Sequence, residues 1–400
     1  MKINKSVKSW SGLSGATIGA AFLMANSSIG PGFLTQTTVY TQQLLTSFGF
    51  VILVSVVLDI GAQLNTWRVL SMSELRAQDL ANKVYPGLGY LLTVLIVFGG
   101  FAFNIGNIAG CGLGLNVLFS LTFSQGAIIS CLGALILFWV KEMGKMLDNF
   151  TKILGTLKIL LTLFIAYSVH PPLLQAVQHT FIPEHISTTA IITIVGGTVG
   201  GYITFSGAHR LLDAGITGAK NIATVNKSAL SGIIISTIMR FILFLAVVGA
   251  VTQGVVLDKN NPAGSVFQFA AGNFGFKLFG VVLWFAAMSS VVGAGYTSIS
   301  FIKTFHPIFV KYERYFISVF ILISTLVFVV VGKPRELLIY AGAINGFILP
   351  FALAVILIAS NKKGLMKNYL HPKWMQLAGW LVVLIMGVMS CLAVYDLLKN

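Results

Sequence analysis

Ser27-Ser28-Ile29-Gly30-Pro31-Gly32-Phe33-Leu34-Thr35-Gln36-Thr37 lies within a long apolar run, and its reading decides the fold. Proline removes a backbone donor and its ring collides with the preceding turn. The flanking glycines let the chain unwind, so a helix drawn through 14–45 splits near Gly30 to Gly32. A second stretch, Val195-Gly196-Gly197-Thr198-Val199-Gly200-Gly201-Tyr202-Ile203-Thr204-Phe205-Ser206-Gly207-Ala208-His209-Arg210, lacks proline but carries two Gly pairs close together. Taken singly, each stretch also fits a packing contact or kink of the kind common in membrane helices.

Outward from these stretches, apolar segments long enough to cross a hydrocarbon core recur along all 400 residues. The segments are 14–45, 48–68, 88–121, 125–140, 149–169, 187–213, 228–253, 274–302, 315–332, 336–360 and 375–397. They predict an all-α membrane protein of about eleven transmembrane helices in a single domain. The first and sixth helices each open a five-helix block, 14–169 and 187–360, followed by an eleventh helix at 375–397. An odd number of crossings per block makes the second block inverted relative to the first. Breaks at matching positions of an inverted repeat point to a binding site near the midplane.

Composition agrees: 56% of residues are hydrophobic, 9% are charged, and the mean hydropathy is +0.89. That excludes a water-soluble fold. The net charge of +15 comes from scarce acids and dispersed Lys and Arg, with no basic stripe for nucleic acid. With the N-terminus inside, one side of the membrane collects nineteen basic residues, from Lys2, Lys5 and Lys8 to Lys362, Lys363, Lys367 and Lys373. The other side holds five: Lys259, Lys277, Lys333, Arg335 and Lys399. Lys158 and Arg240 are left within helices. This asymmetry predicts a multi-pass protein of the bacterial cytoplasmic membrane, N-terminus inside and C-terminus outside. Cys111, Cys131 and Cys391 fall in apolar runs without metal-ligand spacing and read as buried small hydrophobes. The basic start MKINKSVKSW shows no convincing cleavage site and reads as the lead into a retained first helix.

Together these features resemble the Nramp family of divalent-metal transporters, whose fold is the leucine-transporter arrangement of two inverted five-helix repeats plus one helix. The likeness covers nearly the whole chain. Gly30-Pro31-Gly32-Phe33 stands at the family's Asp-Pro-Gly-Asn, and Gly197-Thr198-Val199-Gly200-Gly201-Tyr202-Ile203 at its Gly-(Ala)-Thr-Val-Met-Pro-His-Asn region. Ala286-Ala287-Met288-Ser289-Ser290 matches helix eight, and Leu349-Pro350-Phe351-Ala352-Leu353 matches helix ten. The metal-binding Asp, Asn and Met of the family are here Gly30, Phe33 and Gly200, and its His is Tyr202. Its helix-three acidic pair, linked to proton movement, falls at Asn104 and Asn107. A dehydrated divalent cation in low dielectric needs anionic or soft ligands, so the resemblance carries over the fold and the site location without a metal site.

The substituted site has half-helix N-termini with no nearby anion, which suits a small organic carboxylate or zwitterion. Gly30, Pro31, Gly32, Phe33, Thr35, Gly200, Gly201 and Tyr202 are its expected lining. Similar glycine-substituted bacterial proteins accompany 5-oxoproline breakdown genes, so the resemblance points to a pyroglutamate-like substrate. Ser289 and Ser290 are candidates for holding Na⁺, with helix packing as the alternative. Asn104 and Asn107, with Gln36 and Thr37, either line a polar path or bond between helices. Asp59 is either a proton carrier or the partner of Arg240 or Lys158. His209 and Arg210 read as loop anchors, and His170, His179, Glu184 and His185 as a solvated loop.

The expectation is therefore a secondary transporter, not an enzyme, without cofactor, whose partners are a small solute, a coupling H⁺ or Na⁺ and the bilayer. Carriage of Mg²⁺ or Mn²⁺ is one alternative, and a non-transporting membrane sensor or channel is another. The sequence leaves the oligomeric state undetermined.

Overall fold

The computed structural model describes residues 28–140, 155, 157–367 and 369–399, and within them every regular element is helical. The helices are α1 (Pro31–Leu44), α2 (Phe48–Ser73), α3 (Ala77–Val84), α4 (Leu88–Phe119) and α5 (Phe123–Trp139). Next come α6 (Leu157–Ser168), α7 (Leu173–Phe181), α8 (Thr188–Val199), α9 (Tyr202–Asp213) and α10 (Ile222–Thr252). The last are α11 (Pro262–Ile302), α12 (Glu313–Val331), α13 (Pro334–Ser360) and α14 (Lys373–Lys399).

Every expected apolar segment coincides with a helix over its described part; 14–27 and most of 149–156 lie outside the described residues. Among the described residues, eight spans are long and apolar enough to cross a membrane, counting α1 with α2 and α8 with α9 as continuous. α5 is shorter, and α6 with α7 forms a further pair bent by 109°. The short α5 is a genuine helix because its start is locally specified. Thr122 accepts from the Gln125 N–H, and the Gln125 side chain accepts from the Thr122 N–H. Three helices lie outside the expected segments, the amphipathic α3, the loop helix α7 and a five-residue helix at Pro307–Lys311, since none is long or apolar enough to register as a span. α11 begins at Pro262, earlier than the expected 274, because a kink at Ala271 and Gly272 joins a short leading helix to the span.

The interior inverts the usual polarity. Val57, Val94, Phe98, Ile136 and Leu326 face outward, whereas Gln36, Gln63, Asn65, Asn104 and Asn345 are buried. With lipid outside, apolar contact does not distinguish inside from outside, and close packing with interhelical hydrogen bonds holds the helices together. α4 packs along α11, where a Cβ on Gly114 would meet the Trp284 backbone nitrogen at 2.9 Å. Trp67 of α2 donates to Thr204 O of α9 at 2.8 Å, and Gln63 donates to Ala229 O of α10 at 2.9 Å. Cys111 and Cys131 are buried as expected; Cys391 is exposed on α14, because an outward helix face in lipid accepts a small apolar side chain as readily as a core does.

Between α13 and α14, the buried His371 donates from Nε2 to Asn65 Oδ1 at 2.7 Å, since the Asn65 amide is itself donating to Gly61 O and Met375 O. Burial, helped by the Arg68 charge, lowers the His371 pKa from 6.5 to about 4. Between those pH values the unfolded chain binds a proton that the folded protein refuses, so stability is full above 6.5 and declines as pH falls toward 4. The melting temperature in detergent is expected to drop across this window, and His371→Gln should flatten the drop. An unchanged pH profile in that variant would contradict the assignment.

Candidate functional site

The first break is built as the sequence implies. Pro31 is the first residue of α1, where its missing N–H is not needed, and Gly30 precedes it in extended conformation. The proline ring rests on α4 at Gly110, where a Cβ would overlap it. The second break is two residues long: Gly200 is extended, and Gly201 has φ 50° and ψ −127°, a conformation that L side chains rarely adopt. α1 and α9 thus both start at the site, and neither has a side-chain cap nor an acid in its first turn. Neither first turn supplies an anion to its N-terminal dipole end.

The breaks meet directly. Ser28, two residues before Gly30, donates from Oγ to the carbonyl of Thr198, two residues before Gly200, at 2.9 Å. The expected lining divides between two neighbourhoods. Phe33 lies beneath the guanidinium of Arg240, which sits 4.3 Å from its ring centroid. Tyr202 instead faces α4, with Phe103 edge-on at 5.4 Å and the Asn107 amide toward its hydroxyl. Thr35 is buried on α1. Gly32 faces the Gln36 side chain, which donates to Leu338 O of α13 at 2.7 Å.

Gly200 and Gly201 serve close packing in this conformation. A Cβ on Gly200 would meet Asn345 O at 2.8 Å, and one on Gly201 would overlap Asn345 Oδ1. Gly196 likewise abuts Gly342 and Gly346. The glycines of the second break therefore let α8 and α9 approach α13 at backbone distance, while the same residues leave the helix unwound.

The expected ion-coupling residues are spread more widely. Asn104 turns to α12 and donates to Ser324 Oγ at 3.0 Å, so the helix-three pair separates, with only Asn107 reaching the second break. Ser289 Oγ donates to Ala286 O within its own helix at 3.0 Å, and Ser290 is buried. Asp59 on α2 is 1% exposed and lies in Coulombic range of Arg240 without a contact ion pair. Among the described residues, contact pairs link Arg76 with Asp213, His179 with Glu184, Lys303 with Glu313 and Lys367 with Glu74. The anchor reading of His209 has support: it accepts from the Ala77 N–H and packs tilted against Phe301, ring centroids 5.0 Å apart. His179 bonds Thr46 at 2.6 Å, and no cluster of three metal-ligating side chains occurs among the described residues.

Two residues that the sequence offered only as charges within helices and possible partners of Asp59 contact the breaks. Lys158 of α6 is buried and donates from Nζ to Ile29 O, a carbonyl freed by the first break, at 2.7 Å. Arg240 of α10 is buried and donates from Nη1 to Thr198 Oγ1 at 2.8 Å. Their rarity in otherwise apolar spans was the available signal.

The family model for Natural resistance-associated macrophage protein-like proteins (Nramp) matches residues 21–396. The membrane protein YcsG of Bacillus subtilis is 54% identical, over 96% of this chain and 95% of its own. A manganese transporter of Eremococcus coleocola, solved with an aromatic bis-isothiourea compound, superposes with a TM-score of 0.75 at 17% identity, covering 99% of this chain and 89% of that one. MhsT, solved with L-phenylalanine, superposes with a TM-score of 0.59 at 13% identity, over 94% and 97%. The broken-helix arrangement is that of the leucine-transporter fold shared by these structures, and the chain belongs to the Nramp family of multi-pass membrane transporters.

Proposed function

We propose that this chain is a secondary active transporter that carries a small organic acid or amino-acid-like solute by alternating access, with the site between the breaks of α1 and α8/α9. The observation that carries this reading is the charge balance. Among the Lys, Arg, Asp and Glu side chains of the described spans, those buried are Lys158, Arg240 and Asp59, two bases against one acid. Both bases touch the breaks, and two uncapped helix N-termini add positive potential there. A divalent cation entering that field meets repulsion, whereas a monoanion offsets the surplus.

The fold accepts such a solute in MhsT, which was solved with L-phenylalanine. A cyclic amino-acid derivative such as 5-oxoproline joins a carboxylate to a small body that Phe33 and Tyr202 would cover. The coupling ion is H⁺ or Na⁺. The basic loops support an N-terminus in the cytoplasm and a C-terminus outside the bacterial cytoplasmic membrane, and 14–169 and 187–360 form the inverted repeats.

Carriage of Mn²⁺ or Mg²⁺ is the competing reading, favoured by the family and by the manganese transporter of the same fold. Against it stand Gly30, Phe33 and Gly200 at the family's ligand positions. Uptake into proteoliposomes separates the two. Labelled 5-oxoproline and related carboxylates are expected to accumulate under an imposed pH or Na⁺ gradient, with little Mn²⁺ or Mg²⁺ flux. Strong Mn²⁺ uptake unaffected by organic acids would overturn the proposal, and binding without flux would assign a sensor.

A further inference from the structure

Arg240 is held at the junction of the two breaks by one edge only. Its Nη1–H donates to Thr198 Oγ1, which is fixed in turn by donating to Ile194 O at 2.7 Å. Its face rests on Phe33 of α1 at 4.3 Å. The side chain is 3% exposed, and its remaining donor nitrogens, Nε and Nη2, have no hydrogen-bond partner among the described residues. These two nitrogens form the side-on fork of a guanidinium, whose parallel N–H bonds match the two oxygens of a carboxylate.

Asp59, the one buried acid within Coulombic range, does not take that fork, and its own Oδ1 also lacks a partner. Burying a guanidinium with its fork unmatched is costly, since each donor gives up hydration without a replacement bond. A merely structural ion pair would close that gap directly. Here the pinned Nη1 edge, the stacked face and the N-terminus of α1 converge around a side whose complement is planar and anionic.

We propose that Arg240 is the substrate-carboxylate receptor, with Nε–H and Nη2–H each donating to one carboxylate oxygen and Phe33 flooring the ligand. This rests on the organic-acid reading and narrows it to monoanionic carboxylates: one ligand charge balances the surplus left by Lys158, Arg240 and Asp59. Because the fork is sealed in the conformation described, binding accompanies movement of the half-helices that carry Phe33 and Thr198.

The test is equilibrium binding of labelled 5-oxoproline to the purified full chain, with unlabelled small monocarboxylates and their neutral amides as competitors. Wild type is expected to prefer acids to amides by roughly thirtyfold or more. Arg240→Gln should weaken acid binding by roughly hundredfold and erase the preference. Arg240→Lys, which keeps a charge without the fork, should fall between. If Arg240→Gln does not yield monodisperse protein, Arg240→Lys and Thr198→Val decide, and a reduced acid-over-amide ratio in both is expected. Folded Arg240 variants with an unchanged ratio would overturn the carboxylate role while leaving the organic-acid reading standing. So would equal losses for acids and amides, which mark a purely structural residue. Wild type that binds no carboxylate in the panel would overturn both.

Discussion

Gly201→Ala is expected to yield little folded transporter. The residue sits at φ 50° and ψ −127°, and its Cβ would overlap Asn345 Oδ1. Such a backbone conformation costs a side chain about 1–3 kcal/mol, and forced overpacking adds about as much. Asn345 does not yield easily, because its amide is held by donating to Gly99 O at 2.9 Å and Ala341 O at 2.8 Å. Size-exclusion profiles and melting temperatures in detergent measure the loss. Gly201→Ala combined with Asn345→Ala should recover part of it, since the double variant removes the collision but not the backbone strain. Wild-type stability in the single variant would mean that the break does not pack against α13 as described.

Lys158→Met separates stability from function. The ammonium is buried, donates to Ile29 O, and has no acid in contact among the described residues. Replacing a buried charge by an apolar group of similar length removes a desolvation cost while sacrificing one charge-assisted bond, so the melting temperature should hold or rise. Transport should nevertheless fall by roughly tenfold or more, because the freed carbonyl at the first break loses its partner and the site loses one positive charge. Initial rates in proteoliposomes, beside melting curves on the same preparation, test both halves. A variant that unfolds, or one that transports normally, would contradict this account of Lys158.

The helices were legible because hydropathy and segment length are local properties. The first break was legible for the same reason: Pro31 cannot donate a backbone hydrogen bond, and Gly30 and Gly32 do not resist unwinding. The extra helices α3 and α7 escaped because surface and re-entrant helices carry neither the length nor the apolarity of a span. Asn104 and Asn107 show the limit for the site. They are three residues apart on one helix, yet one bonds α12 and the other faces the second break. Only the neighbours distinguish them.

By itself, the sequence determined that this protein is a helical membrane protein interrupted at Gly30-Pro31-Gly32 and within the Gly-pair stretch 196–201, with Gly30, Phe33 and Gly200 where the family it resembles has Asp, Asn and Met. Those features follow from backbone chemistry and from which side chains are present. Only the tertiary structure decided that Lys158 and Arg240, distant along the chain, bring positive charge to those breaks. It likewise decided that the second glycine pair is a packing surface for α13. Both depend on the rotation of each helix about its axis, set by contacts between residues far apart in sequence, such as Ser28 with Thr198 and Arg240 with Phe33.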